Sequence, residues 1–221
     1  MADPSALVTL NDPASAASEA YRTLRMNLHF ASLDLQVRTL LVTSPGPDEG
    51  KTTTLANLAV TMAQVDQRVI MVDCDLRRPN LHALFGLGNQ QGLTNMVLDD
   101  EALTNPPLQA TAVPNLSLLA SGVLPPRPAD LLGSKRMEVV LDRLLELADY
   151  VMLDAPPVMT VTDAVVLATK VDGVLLVASA GATKREHAQA AIERLKKVNA
   201  RILGTALNNV DADKSLQSYY H

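Results

Sequence analysis

Residues 40–53 join an apolar run, Leu40-Leu41-Val42-Thr43, to a turn-rich loop ending in a lysine, Ser44-Pro45-Gly46-Pro47-Asp48-Glu49-Gly50-Lys51-Thr52-Thr53. The run reads as a buried strand. From Thr52 to Gln64, Leu55, Leu58, Ala59 and Met62 recur on one face, the spacing of a helix with one apolar side. A strand, a tight loop and a helix N-terminus in that order turn free backbone N–H groups and the positive end of the helix dipole toward one point, which makes an anion site. Lys51 there reaches the outer phosphates of a nucleoside triphosphate, and the Thr52 hydroxyl is placed to hold magnesium. The loop departs from the usual pattern in three places. Pro45 stands where glycine is customary, Gly46 comes one position late, and Asp48 occupies a spot better suited to a small residue. An ordinary Gly/Pro turn is the alternative for the loop taken alone.

Two acidic stretches downstream argue against that alternative. Val69-Ile70-Met71-Val72-Asp73-Cys74-Asp75-Leu76-Arg77-Arg78-Pro79 and Tyr150-Val151-Met152-Leu153-Asp154-Ala155-Pro156-Pro157 each end an apolar run in aspartate. Such carboxylates project from the C-terminal edge of a sheet, where ligands sit in open parallel sheets. Magnesium takes hard oxygen ligands and keeps several waters, so one or two carboxylates suffice. Asp154 and Thr52, with Asp75, are the expected metal ligands. Asp73 is the expected base for an attacking hydroxyl, with Asp73 and Asp75 exchangeable; a capping pair for the next helix is the bland alternative.

Apolar runs near 38–43, 68–73, 116–119, 150–154, 173–178 and 202–207 alternate with helical patterns near 51–65, 80–85, 94–98, 128–148, 161–170 and 183–198. That alternation predicts an α/β fold, a mostly parallel sheet with helices on both faces. At 221 residues one such domain is the default. Residues 1–14 read as a flexible lead-in, 15–210 as the domain, and 211–221 as a mobile tail. A net charge of -5 argues against broad nucleic-acid binding. The single cysteine, Cys74, excludes an internal disulfide and reads as a small buried residue. No apolar run approaches a bilayer span and no signal peptide is visible, so a cytoplasmic location is expected.

The lysine loop, Asp73-x-Asp75-x-Arg77 and Asp154-x-Pro156-Pro157 together resemble the bacterial tyrosine kinases, P-loop proteins unrelated in fold to eukaryotic protein kinases. Glu19-Ala20-Tyr21-Arg22-Thr23-Leu24-Arg25 is similar to that family's Glu-x-x-Arg-x-x-Arg oligomerisation motif. Gly122-Val123-Leu124-Pro125-Pro126-Arg127-Pro128 looks like its Gly-x-x-Pro-Pro-x-Pro segment, and Gly204-Thr205-Ala206-Leu207-Asn208-Asn209 like its late strand, whose asparagine faces adenine. In the related MinD and ParA partition ATPases a signature lysine stands where this chain has Gly46, a departure that favours the kinase branch.

The resemblance implies an ATP- and magnesium-dependent tyrosine kinase with a P-loop NTPase-like fold. Pro47, Asp48, Glu49, Gly50, Lys51, Thr52, Thr53 and Asn208 would contact the nucleotide, and Lys51, Asp73 and Asp75 would carry the chemistry. It implies a homo-oligomeric ring built through Glu19, Arg22 and Arg25, although charges at this spacing also form solvated pairs within a helix. It implies a membrane partner or fused membrane segment that brings the kinase to the inner face of the cell membrane, protein tyrosine substrates, and a role in surface polysaccharide synthesis or export. Tyr219 and Tyr220, two of the four tyrosines, would be the acceptors in the tail. Tyr21, Leu24, Leu28 and Ala31 share one face of the first helix, Ser15 to Ala31, and are expected to pack on the body. The rival readings are a ring-forming nucleotide scaffold without kinase activity and a MinD/ParA-like ATPase.

Overall fold

The computed structural model describes residues 7–31 and 36–210. Among these, seven strands form one sheet: β1 (Thr39–Thr43), β2 (Val69–Asp73), β3 (Gln109–Ala110), β4 (Leu116–Leu119), β5 (Tyr150–Asp154), β6 (Gly173–Ser179) and β7 (Ile202–Asn208). Their order is β3-β4-β2-β5-β1-β6-β7. All neighbours run parallel except the short edge strand β3, which is antiparallel to β4.

Central strands are apolar on both faces because helices cover both. Leu41, Ile70, Val72, Val151, Leu153, Val174 and Leu176 point into one core. There they meet α5 (Leu93–Leu98), α6 (Asp100–Thr104), α7 (Pro128–Gly133), α8 (Lys135–Leu147), α9 (Asp163–Ala168) and α10 (Arg185–Lys197). Leu40, Val42, Val69, Met71, Met152, Leu175 and Val177 alternate to the opposite core. That side holds α2 (Ala16–Ala31), α3 (Lys51–Ala63) and α4 (Leu81–Leu84). The period-2 alternation of a strand divides the two cores residue by residue.

Register then sets the site. Asp73 at the end of β2 lies directly opposite Asp154 at the end of β5, and Val42 of β1 is opposite Asp154 on its other side. The lysine loop and both acidic strand ends therefore share one edge of the sheet.

Three expectations are corrected and two short elements are added. The helix read over 128–148 is two helices, because Ser134 is extended (ψ 156°) and its hydroxyl accepts from the Met137 amide, capping α8. Short elements α6 and β3 carry too little periodicity to be read. Ala31 is exposed at the end of α2, while Leu24 and Leu28 do pack on the body. Within the stretch read as a flexible lead-in, α1 (Val8–Asn11) forms a helical turn and Leu7 is buried. The reason is polar as well as apolar: Thr9 donates both its N–H (3.0 Å) and its hydroxyl (2.8 Å) to Asn57 Oδ1 of α3. The tail and its Tyr219 and Tyr220 lie outside the described residues. Among the described residues no helix is long and apolar enough to cross a membrane.

Asn57 is itself buried, so Asn57→Ala leaves the Thr9 donors without their acceptor. Each such loss costs about 1–3 kcal/mol. Urea denaturation of the variant is expected to show a lowered midpoint with an unchanged slope; an unchanged midpoint would contradict the docking of α1 on α3.

Candidate nucleotide site

The loop after β1 is held by its own side chains. Ser44 Oγ donates to the Gly46 carbonyl (2.6 Å), and Gly46 N–H donates to Glu49 Oε2 (2.9 Å). Glu49 is turned inward, 7% exposed, and its other oxygen accepts from the Thr183 hydroxyl at 2.6 Å. The Glu49 side chain thus fixes the shape of the loop. Asp48 and Gly50 both take left-handed backbone conformations, φ 59° and 88°. Glycine is required at the second: a Cβ on Gly50 would lie 1.9 Å from Asn208 Nδ2. No side chain caps α3, so its first-turn N–H groups are available to an anion.

Lys51, the first residue of α3, reaches across to the acidic strand ends. Its Nζ is 3.0 Å from Asp75 Oδ2, 3.2 Å from Asp154 Oδ1 and 3.1 Å from Thr52 Oγ1. Thr52 Oγ1 in turn donates to Asp154 Oδ2 at 2.6 Å. Three oxygens of the hard type thus converge on one cation, and they are the three expected to ligate magnesium. Among the described residues no group of three or more His, Cys, Asp or Glu side chains is placed to hold a metal. The donor set fits magnesium completed by phosphate oxygens and waters, the usual way this ion is held.

Asp73 differs from its partners. It is fully buried, its Oδ2 accepts from the N–H groups of Asn80 and Leu81 (3.0 Å each), and its Oδ1 from that of Asp75 (3.3 Å). Burial first, then the Asp154 charge, pushes its carboxyl up to about 8. Burial disfavours the charged form of Lys51, but the Asp154 and Asp75 carboxylates outweigh it and hold the ammonium above its usual range. Burial also raises Asp154, against the pull of Lys51 and Thr52. Among the three carboxyls at this edge, Asp73 lies farthest from the Lys51 ammonium's direct contacts, so burial and the Asp154 charge act on it most strongly. Cys74 is fully buried and burial raises its thiol well above the usual range, which makes it an inert core residue.

The structure therefore brings together Glu49, Gly50, Lys51, Thr52, Asp73, Asp75, Asp154 and Asn208. The Asn208 amide donates to the Glu49 carbonyl (3.3 Å) and rests against Gly50. Pro47 and Asp48 are exposed on the outer rim, and the Thr53 carbonyl accepts from Asn57 Nδ2. Glu19, Arg22 and Arg25 lie apart from this site on α2. Arg22 pairs with Glu19 (2.8 Å) and donates to the Pro13 carbonyl (2.6 Å), and Arg25 donates to the Thr61 carbonyl (2.5 Å). Two contributors escaped the sequence reading. Thr183 is a plain hydroxyl in a loop, and Asp163 reads as an ordinary acid in a helix's first turn. In the fold Asp163 is fully buried and binds Arg77 through both oxygens, at 2.9 and 3.0 Å.

A family model described as an AAA domain matches residues 48–209. Tyrosine-protein kinase YwqD of Bacillus subtilis (strain 168) is 39% identical over 215 residues, covering 97% of this chain and 90% of the relative. Tyrosine-protein kinase etk of Escherichia coli (strain K12) is 35% identical over 203 residues, 92% of this chain but 28% of that protein. Among solved structures, the kinase domain of Escherichia coli tyrosine kinase ETK superposes with a TM-score of 0.89 at 34% identity, covering 95% of this chain and 82% of that one. The chimerical protein CapA2B2 gives 0.89 at 33% identity, covering 94% and 91%. MinD of Pyrococcus horikoshii, complexed with Mg-ADP, shares the fold at a TM-score of 0.65 and 21% identity, covering 83% and 76%.

Gly50→Ala tests the cradle. A side chain at this left-handed position strains the backbone by about 1–3 kcal/mol and drives Asn208 off the loop. Calorimetry with Mg-ATP is expected to show no measurable binding by a variant that still melts cooperatively. Parent-like affinity would mean that the loop does not hold the nucleotide.

Proposed function

We propose, for a chain that belongs to the bacterial tyrosine-protein kinases and carries their AAA-type nucleotide domain, a reaction in which subunits phosphorylate one another's tails. The chain is a protein-tyrosine kinase. The observation that supports the site assignment is the Lys51 ammonium held among Asp75, Asp154 and Thr52 at the N-terminus of α3. ATP would bind with its β- and γ-phosphates on the loop amides and Lys51, and Asn208 would face adenine. Magnesium, held by Thr52, Asp154 and Asp75, would neutralise charge on the transferring phosphoryl group. Positioning and charge neutralisation supply most of the rate in such transfers. Asp73 is assigned the tyrosine proton, since a carboxyl tuned toward the working pH suits a general base.

The acceptors in this reading are Tyr219 and Tyr220. Each added phosphate brings about -1.5 to -2 charges to a chain whose net charge is already -5. The product tail is then repelled by the acidic cleft, which gives a cycle of ring assembly and release. Glu19, Arg22 and Arg25 build the ring, a membrane segment or partner activates it at the inner face of the membrane, and the cycle serves surface polysaccharide synthesis or export. The scaffold alternative draws on the exposed Asp48 carboxylate beside the phosphate loop and on a tail with two tyrosines.

Mixing separates these readings. Lys51→Met chains, which keep both tail tyrosines, are combined with a Tyr219→Phe/Tyr220→Phe chain that keeps its site, and Mg-ATP is added. Phosphotyrosine is expected on the Lys51→Met chains alone, and Lys51→Met by itself is expected to stay unlabelled. No label in the mixture or in the parent supports the scaffold.

Assembly is tested on α2. The Arg22–Glu19 pair is over a third exposed, so within the chain it contributes about 0–1 kcal/mol. Arg22→Ala/Arg25→Ala is therefore expected to keep its helix content and its Mg-ADP binding. Its mass by light scattering, at matched concentration with magnesium, is expected to fall below that of the parent. Equal masses would count against the ring interface.

A further inference from the structure

Arg77 closes the Asp73-x-Asp75-x-Arg77 stretch and has no part in the chemistry above, yet a fully buried carboxylate is dedicated to it. Asp163 accepts from Arg77 Nε at 2.9 Å and from Nη2 at 3.0 Å. Removing a carboxylate from water is costly unless its partner's geometry is good, and a two-pronged pair fixes the plane of the guanidinium. The fork occupies two of the five guanidinium N–H groups. The Arg77 side chain is 42% exposed, so an edge of the fixed plane is left to solvent. Arg78 follows, also exposed, and its guanidinium has no partner among the described residues. Both arginines spring from the reacting centre: their backbone N–H groups donate to Asp75 Oδ1 (3.4 and 3.0 Å), while Asp75 Oδ2 lies 3.0 Å from Lys51 Nζ.

The cleft behind them is acidic. Asp73, Asp75 and Asp154 face a single ammonium. A lysine-rich acceptor would be drawn onto these carboxylates in competition with magnesium, and an acidic one would be repelled unless cations stood at the entrance. We propose that Arg77, oriented by Asp163, and Arg78 form an acceptor-reading entrance for tyrosines of other proteins, one that favours those flanked by carboxylates and is not the means by which the tail tyrosines, with Gln217, Ser218 and His221 beside them, are chosen. Asp163 is a positioning residue that acts through Arg77. The proposal rests on the tyrosine-kinase reading and adds the acceptor's charge to it.

The test compares two synthetic peptides, one with glutamates and one with lysines beside a single tyrosine, as substrates of the full chain with Mg-ATP at low and high salt. The parent is expected to favour the glutamate peptide about fivefold in kcat/KM, the size of an exposed charge pair, through KM, and to lose the preference in high salt. Arg77→Gln and Asp163→Asn are expected to remove the preference through KM. Arg78→Glu, which breaks no contact among the described residues and so keeps the test valid if the others fail to fold, is expected to reverse it. Equal use of both peptides by the parent overturns this proposal alone. So does a loss in the arginine variants that falls alike on both peptides, since that is what a simple strut between two loops would give. A parent that phosphorylates neither peptide while binding Mg-ADP overturns this proposal together with the reading beneath it.

Discussion

The contact on which the site depends is the Lys51 ammonium shared between Asp75 and Asp154. Both carboxylates are buried, and a buried carboxylate without its counter-charge is strongly destabilising. The ammonium therefore does two things before any nucleotide arrives. It holds two strand ends and the phosphate loop at one point, and it marks where positive charge is stable. Sheet order makes this possible. With β5 between β1 and β2, Asp154 is flanked by the loop on one side and by Asp73 on the other. A different strand order would separate the lysine from at least one of its carboxylates and leave that carboxylate to be protonated.

The parts legible in the sequence were those whose chemistry restricts residue type. An anion cradle needs glycine and a lysine between a strand and a helix, and a hard-cation site needs carboxylates at strand ends. Gly50, Lys51, Thr52, Asp75 and Asp154 could be read for that reason. The central strands were legible because burial on both faces leaves unbroken apolar runs. What escaped was fixed by partners distant in sequence. Nothing local distinguishes Asp163 from any acid at the start of a helix; its partner Arg77 is brought to it only by the fold. Glu49 carries no sign that it turns inward to Gly46 and Thr183. The break at Ser134 was hidden because apolar spacing continues through it while a hydroxyl cap restarts the helix. Thr9 read as part of a flexible lead-in because its acceptor, Asn57, stands 48 residues away in sequence.

The N-terminal segments and the nucleotide loop converge on one helix. Thr9 is tied to Asn57, the Tyr21 hydroxyl lies near Thr54, and Arg25 is tied to the Thr61 carbonyl. All three anchor points lie on α3, whose first residue is Lys51. Burial raises the Tyr21 hydroxyl above its usual range, a mark of how closely α2 is seated there. The surface proposed for assembly and the loop proposed for phosphate are thus tied to one helix.

That helix limits how surface and loop can influence each other. Every residue from Thr54 to Ala63 is buried, and close-packed interiors do not deform continuously. Pulling Arg25 away from Thr61 cannot reshape the loop locally; it can only tilt or shift α3 as a body. The loop itself is held from the far side, by Glu49 to Thr183 and by Asn208 to the Glu49 carbonyl. These two contacts join the phosphate loop to the ends of β6 and β7. A movement of α3 would load them first, because they are polar and partly exposed where the α3 packing is apolar and closed. A shift of α3 as a body is therefore felt first at Glu49, Thr183 and Asn208, the polar contacts that hold the loop from its other side.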